Sequence, residues 1–373
     1  MGMDRGQLRD MTQSQFDNAV RKLLVSVNAK VYSLEETYAR AKAVVDTGRA
    51  VDGAARDGTL QRMAAAIATA EIRRASLIAS AAGALVEDGA DPLIALDTIL
   101  ARLKDTLPAA LAFEEACRAA AAADSKAIGE GDDAYIEAYA PRVSTARPEL
   151  GYAWGALDLL CPPALAMLSR TATARQTARA DRLLMERVER LASLHGGVGW
   201  LASLLGVLDD EDLLVLHPAR DRGYRVRISG VADNFQLHTL LADALIGDPD
   251  AGWMPGAPPD PRVAAAARDR EVDPAAETAT GAFNLVGWPG LQPDGTLEGE
   301  QENSSHWIWG EGTPRDIPAF EGMRVVLLGP APYSRAWNAG RQFPTMPADL
   351  RVVEVLDPAT VQQWLQRIAA TPR

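Results

Sequence analysis

The sequence predicts an α+β protein: an N-terminal all-α helical bundle over residues 1–205, then a C-terminal α+β domain over 206–373 built on a mixed β-sheet. Three observations carry this expectation. Apolar residues recur at helical spacing before residue 205 and alternate at strand spacing after it. Proline follows the same division, with six residues before and 17 after, and six of the eight tryptophans (Trp253, Trp288, Trp307, Trp309, Trp337, Trp364) lie in the second part. Charge divides too: 26 acidic and 24 basic residues precede the boundary, whereas 24 acidic and 14 basic follow it. At 373 residues the chain has the length of about two domains of ~150 residues.

In the first part, Val20, Leu23, Leu24, Val27, Val31 and Leu34 fit one face of a single amphipathic helix. A second stripe runs Leu60, Met63, Ile67, Ala70, Ile78 and Leu85. A third, Leu93, Leu96, Leu100 and Leu103, is opened by Asp91 and Pro92 as cap and first-turn proline. Pro108 is expected to open another Ala-rich helix through Cys117, and residues 129–148 to be irregular. Two more helices follow over 150–169 and 172–194, with Cys161-Pro162-Pro163 kinking or breaking the former. The sum is a bundle of six or seven helices, closely approached because so many positions are alanine.

The second part changes period. Leu213 to Leu216 reads as a buried strand, residues 218–223 as a turn, and Tyr224, Val226 and Ile228 alternate with Arg225, Arg227 and Ser229 as the return of a hairpin. Asp233 caps a helix that stops at Gly247, and residues 247–282 form a long irregular excursion with one short helix near Arg262 to Arg270. Strands are expected over 283–288, 305–309, 323–328 and 350–356. The last leads through Asp357-Pro358 into a helix carrying Val361, Trp364, Leu365 and Ile368.

Composition excludes several function classes. A net charge of −12 repels phosphate backbones and anionic lipid, so nucleic acid is not an expected partner and neither is a membrane. The apolar runs are about half of the ~20 residues a bilayer span needs, and the first eleven residues carry no apolar stretch of the kind a secretory signal requires; the expectation is a cytoplasmic protein. Basic residues comprise 33 arginines and five lysines, none of the latter beyond Lys126, so no phosphate-loop or Schiff-base lysine can come from the C-terminal part. The Arg and Ala bias is compatible with a GC-rich bacterial genome. Cys117 and Cys161 read as two buried thiols, the four histidines form no ligand pair, and neither a metal nor a cofactor is expected.

The strongest candidate site follows the strand ending at Leu328: Tyr333, Ser334, Arg335, Trp337, Asn338 and Arg341 place two guanidiniums, an amide, a hydroxyl and two aromatic rings beyond a strand end, where an anion or carboxylate could bind. Against it stands a packing role, with Tyr333 and Trp337 four apart on one helical turn. His306 is the second candidate. In a strand, Ser305 and His306 point to opposite faces, so only Ser304 could share a face and a proton with it; Trp307 and Trp309 then serve as packing. His217 ends a buried strand and could join the same sheet edge, and His238 lines the edge of the core.

Three further patterns are weaker. Gly197 to Ala202 spells GxGxxA, but a helix precedes it where a dinucleotide site needs a strand, so Gly196 to Gly199 is expected to cap a helix and join the domains. The arginines at 170, 175, 179, 182, 187 and 190 could face RNA, but interspersed acids suit a solvated face. Asp294-Gly295 is a turn signal. The leading functional expectation is therefore a module that recognises another protein, given the Trp- and Pro-rich second half. The alternative is a small-ligand binder or hydrolase-like enzyme that holds an anionic substrate with Arg335, Arg341 and His306 in one cavity.

Overall fold

A computed structural model describes residues 5–27, 29, 33–124, 133–298, 305–331 and 333–371. The chain is α+β, with a helical N-terminal region followed by a mixed sheet, as its sequence predicts. It divides into two compact units, Met1–Leu205 and Gly206–Arg373. No described helix is long and apolar enough to cross a membrane.

The first unit contains ten described helices: α1 (Arg5–Val27), α2 (Leu34–Gly48), α3 (Gly53–Thr69), α4 (Ile72–Glu87), α5 (Leu93–Ala123), α6 (Ala134–Ala146), α7 (Pro148–Ser169), α8 (Ala172–Ala180), α9 (Arg182–Leu191) and α10 (Gly196–Leu205). Six or seven were expected, and the difference lies in breaks that periodicity does not reveal. The stripe from Val20 to Leu34 spans two helices: α1 ends at Val27, Val31 lies outside the described residues, and Leu34, which opens α2, is exposed. The second stripe divides between α3 and α4, the third is one helix with α5's later half, and residues 134–146, expected irregular, are helix. Asp181 separates α8 from α9 by accepting the Leu184 N–H. Gly196 to Gly199, expected as a C-cap and joint, form the first turn of α10.

Each of these breaks leaves backbone carbonyls without a helical donor. Arginine supplies the missing N–H. Arg74 Nη1 donates to Val27 O (2.6 Å) and Ala29 O (3.0 Å) at the end of α1. Arg56 Nη1 reaches Gly48 O and Val51 O after α2, and Arg102 Nη2 reaches Ala70 O after α3. Arg170 Nη2 closes α4 on Glu87 O, and the buried Arg175 closes α7 on Leu168 O (3.0 Å) and Ser169 O (3.2 Å). These bonds combine a charge-assisted donor with the negative end of the helix dipole. They also commit Arg170 and Arg175 of the arginine stretch that could have faced RNA.

The same device explains why Pro108 neither opens nor breaks a helix. Its ring nitrogen has no hydrogen for Lys104 O, four residues back, and Arg187 Nη1 on α9 donates to that carbonyl instead at 2.8 Å. Pro162 and Pro163 likewise lie inside an unbroken α7. There the accommodation is steric: Gly83 on α4 admits the ring, since a Cβ at Gly83 would sit 2.7 Å from Pro163 Cα. Cys117 and Cys161 are fully buried, and burial pushes their thiols up to about 11 and about 12.

The second unit carries β1 (Glu211–His217), β2 (Arg222–Ser229), α11 (Asn234–Leu245), α12 (Pro261–Arg268), β3 (Thr278–Thr280), β4 (Asn284–Gly287), β5 (Ala319–Phe320), β6 (Met323–Gly329), β7 (Ala336–Asn338), β8 (Asp349–Leu356) and α13 (Pro358–Ala369). The main sheet runs β4-β6-β1-β2-β8, with β5 also paired to β6. Only β1 and β6 run parallel; the remaining pairs are antiparallel. Alternation sorts the sheet into two faces. Leu213, Val215, Tyr224, Val226, Val326 and Leu328 pack with Leu237, Leu240 and Leu241 of α11, while Leu214, Leu216, Val325 and Leu327 pack with Val361, Leu365 and Ile368 of α13. The expected strand over 305–309 reduces to one bridge, Trp307 to Val286, and β3 pairs with β7 as a separate ribbon. Asp294 and Gly295 do form a turn, with Gly295 at φ 84° and Leu291 bridged to Leu297.

The Pro108 account makes a coupled prediction. Arg187→Ala lowers stability by about 1 kcal/mol, the net worth of one hydrogen bond, but in a Pro108→Ala background, where residue 108 can donate to Lys104 O, the loss shrinks. Urea unfolding of the four proteins checks this; equal losses in both backgrounds would remove the assigned role.

Candidate functional site

The site forms where α11 begins. Asp233 caps that helix by accepting the Gln236 N–H at 2.7 Å. The next two N–H groups, normally left over at a helix start, point at a returning loop: Asn234 N donates to Gly310 O (3.1 Å) and Gly312 O (3.0 Å), and Phe235 N to Gly310 O (3.1 Å). Asn234 Nδ2 adds a bond to Trp309 O at 2.8 Å. Only glycine fits at 310, because a Cβ there would lie 2.1 Å from Phe235 Cε1. On its other side the 305–309 segment is held to β4 by Gly287 N to His306 O (2.8 Å) and Ile308 N to Leu285 O (2.9 Å).

Between this segment and the loop that follows lies a cavity of about 250 Å³. Trp307, Ile308, Trp309, Pro289, Ile317 and Pro318 supply apolar walls, and Asn234, Ser305, His306, Thr313 and Asp316 supply polar ones. Trp307 is buried, with its ring centroid 5.5 Å from that of Trp309, which is 43% exposed. Two polar atoms of the lining residues are buried without any hydrogen-bond partner among the described residues: Trp307 Nε1, a donor, and Asn234 Oδ1, an acceptor. The ionisable members have partners. His306 Nε2 stands 3.3 Å from Glu298 Oε2, and Asp316 accepts from Thr313 Oγ1 at 2.7 Å with Arg315 Nε 3.6 Å away.

A second, far smaller cavity of about 10 Å³ shares Asn234 and Ile308 with the first and also touches His238, Phe235, Arg335 and Trp337. It is large enough for about one water molecule. His238 Nε2 lies 3.0 Å from Phe283 O, and its Nδ1 has no partner among the described residues. Desolvation pushes this imidazole down to about 4, so it is neutral at pH 7.

These positions separate the residues that sequence had grouped. The loop after β6 is not a helical turn: Trp337 lies on β7, donates to Thr239 Oγ1 (3.3 Å) and stacks edge-on against His238, while Tyr333 is 49% exposed. Arg335 Nη2 bonds Asn284 Oδ1 at 3.3 Å and its guanidinium sits 5.6 Å from the Tyr333 ring centroid. Arg341 closes the end of α12, donating to Ala266 O, Arg270 O and Pro344 O. Ser334 and Asn338 are exposed, the latter paired through its backbone with Thr278. Among the described residues His306 lines the large cavity, Arg335 the small one and Arg341 neither of these two. Ser304 lies outside the described residues. His217 is buried at the end of β1 and lines neither cavity; desolvation and Arg220 lower its pKa.

Sequence reasoning missed Asn234, Thr313 and Asp316 as cavity residues and took the two tryptophans as packing alone. The one local signal was Asp233-Asn234 ahead of a helix beside a Gly310-Glu311-Gly312 turn. Comparison with protein-family models, with curated proteins and with solved structures found no match.

Two outcomes follow from these contacts. Because the folded His238 has its pKa below the unfolded value of 6.5, the unfolded chain binds the proton first, and stability is complete above about 6.5 and falls as pH drops toward about 4. The loss from His238 is on the order of 3 kcal/mol. His195 and His217, also lowered mainly by desolvation, act in the same direction. Denaturant midpoints across that range check this, and His238→Gln flattens the decline. Arg341→Ala leaves the carbonyls at the end of α12 without their donor and costs about 1–3 kcal/mol, measured by the same unfolding assay, with the large cavity's binding properties unchanged.

Proposed function

We propose that the C-terminal unit is a binding module that holds a small uncharged molecule in the 250 Å³ cavity. The observation that carries this reading is the lining, in which Trp307, Ile308, Trp309, Pro289, Ile317 and Pro318 are apolar and Asn234, Ser305, His306, Thr313 and Asp316 are polar. An aromatic pocket with a few placed polar groups is the usual form of a small-molecule site.

Charge favours a neutral occupant over the anionic substrate that sequence suggested. Neither lysine nor arginine lines the cavity among the described residues, and its acid and imidazole are already paired. Arg335 and Arg341 are held by Asn284 and by backbone carbonyls. An anion would meet Asp316 and the Asn234 oxygen with no cation to offset them. A second reading, recognition of another protein, is favoured by one observation: Trp309 and Tyr333 are half exposed, with ring centroids 5.5 and 6.4 Å from that of Trp307, and Tyr333 lies beside Arg335; these are the residue types that dominate interface energetics.

Ligand-observed NMR against a panel of small neutral, cationic and anionic molecules tests the proposal. Neutral members bind and compete with one another, and Trp309→Ala weakens them about tenfold, the equivalent of about 1.4 kcal/mol of lost aromatic contact. A panel whose binders are all anionic, or whose binding ignores Trp309, removes the reading.

A further inference from the structure

We infer that the N-terminal unit binds a medium-chain carboxylate of the octanoate type in a groove of its own. The groove lies where α4 packs against both α2 and α7, and its volume is about 210 Å³. Buried Ala41, Leu77 and Ala81 form its floor, and half-buried Val45, Ala84 and Leu159 line its sides. Alanine at 41, 81 and 84 is what leaves the space open, since a longer side chain at any of them would occupy part of it.

Three features select the ligand. The first is volume. Engineered apolar cavities of ~150 Å³ bind benzene, and one water's share of the liquid is ~30 Å³, so 210 Å³ holds about seven non-hydrogen atoms. That is the alkyl tail of octanoate, with its carboxylate left at the mouth. The second is the character of floor and sides. These six side chains are hydrocarbon only, so the body of the ligand is hydrocarbon too.

The third is the sense of the polar groups. Tyr38, Lys42 and Ser80 complete the lining, and no acid belongs to it. The Tyr38 side chain is well exposed. Ser80 Oγ is accessible and makes no hydrogen bond among the described residues, whereas Ser76, one turn earlier on α4, bonds back to Arg73 O at 3.1 Å. Lys42 Nζ stands 2.6 Å from Asp46 Oδ2, but both side chains are more than half exposed, and such a pair contributes little to stability. Its ammonium can therefore turn to a second carboxylate. One ammonium and two hydroxyls beside a hydrocarbon trough are the complement of a fatty carboxylate.

Rival occupants fit less of this. An alkylammonium meets Lys42 as a like charge and finds no acid in the lining. An alcohol of equal length fills the trough and leaves Lys42 to Asp46. An apolar side chain from a partner protein fills the trough and brings no acceptor to the rim.

The test uses the full chain at low ionic strength, with hexanoate, octanoate, octanol and octylammonium as probes and saturation-transfer NMR titration as the readout. Octanoate binds saturably, about tenfold more tightly than hexanoate because two more methylenes are buried, and about fivefold more tightly than octanol. Lys42→Gln removes the preference over octanol and leaves octanol binding as it was, whereas Asp46→Asn, which releases Lys42, strengthens octanoate binding. Ala84→Leu fills the trough and weakens octanoate and octanol alike by about tenfold. Should Ala84→Leu fail to fold, the exposed positions 42 and 46 still decide the matter. Octanol bound as tightly as octanoate, or octylammonium bound more tightly, overturns the carboxylate assignment. Octanoate binding that ignores Lys42→Gln, or a folded Ala84→Leu, overturns the site. If none of the four probes binds, the proposal falls, while the neutral-ligand reading of the C-terminal unit, tested through Trp309 with other probes, is unaffected.

Discussion

Backbone carbonyls that have lost their helical donor are the constraint on which the N-terminal unit depends. Ten short and medium helices leave many carbonyls at their ends, and Pro108 leaves another in mid-helix. A buried carbonyl without a donor is costly, and a guanidinium is suited to supply one because its forked N–H groups can reach two oxygens at once. Arg56, Arg74 and Arg175 each do so. A lysine offers a strongly hydrated point charge and could not replace them evenly. The excess of 33 arginines over five lysines, compatible with genome composition, thus has a structural consequence.

The same requirement explains the C-terminal unit by its exceptions. Arg341 performs the helix-closing role at α12. The leading N–H groups of α11 are satisfied by Gly310 and Gly312, and that exchange sets the distance between the helix and the wall of the large cavity. Buried polar atoms without a partner among the described residues are spread through this unit, on His217, Arg225, Asn234, His238, Trp307, Arg324 and Arg341, and of these residues Asn234 and Trp307 line one cavity.

Much of the architecture was legible in the chain. The switch from helical to alternating spacing near residue 206 marks the change from helix to sheet, and alternation along Tyr224, Val226 and Ile228 assigns the buried face of β2. Asp233 caps the helix it was expected to cap, and Asp357, expected to lead into the last helix, caps that one. The breaks between α1 and α2 and between α3 and α4 were not legible, because apolar spacing persists across them. The continuity of α5 through Pro108 and of α7 through Pro162 and Pro163 was not legible either. Proline's local preference is to interrupt, and Arg187 at Pro108 and Gly83 at Pro163, both remote in sequence, accommodate it.

Local chemistry therefore determined element type, face and cap, since these depend on residues within a turn or two of one another. It also determined that Cys117 and Cys161 lie buried, whereas the strand expected around His306 reduces to one bridge. Tertiary structure alone decided what each polar group touches. Arg335, Arg341 and His306 lie within 36 positions of one another, yet they are held by Asn284, the end of α12 and Glu298, three partners that no local pattern could name. Asn234 meets Trp307 at one cavity across more than seventy residues. A hydrogen bond acts over about 3 Å, so its partner is chosen by the packed chain and not by sequence neighbours.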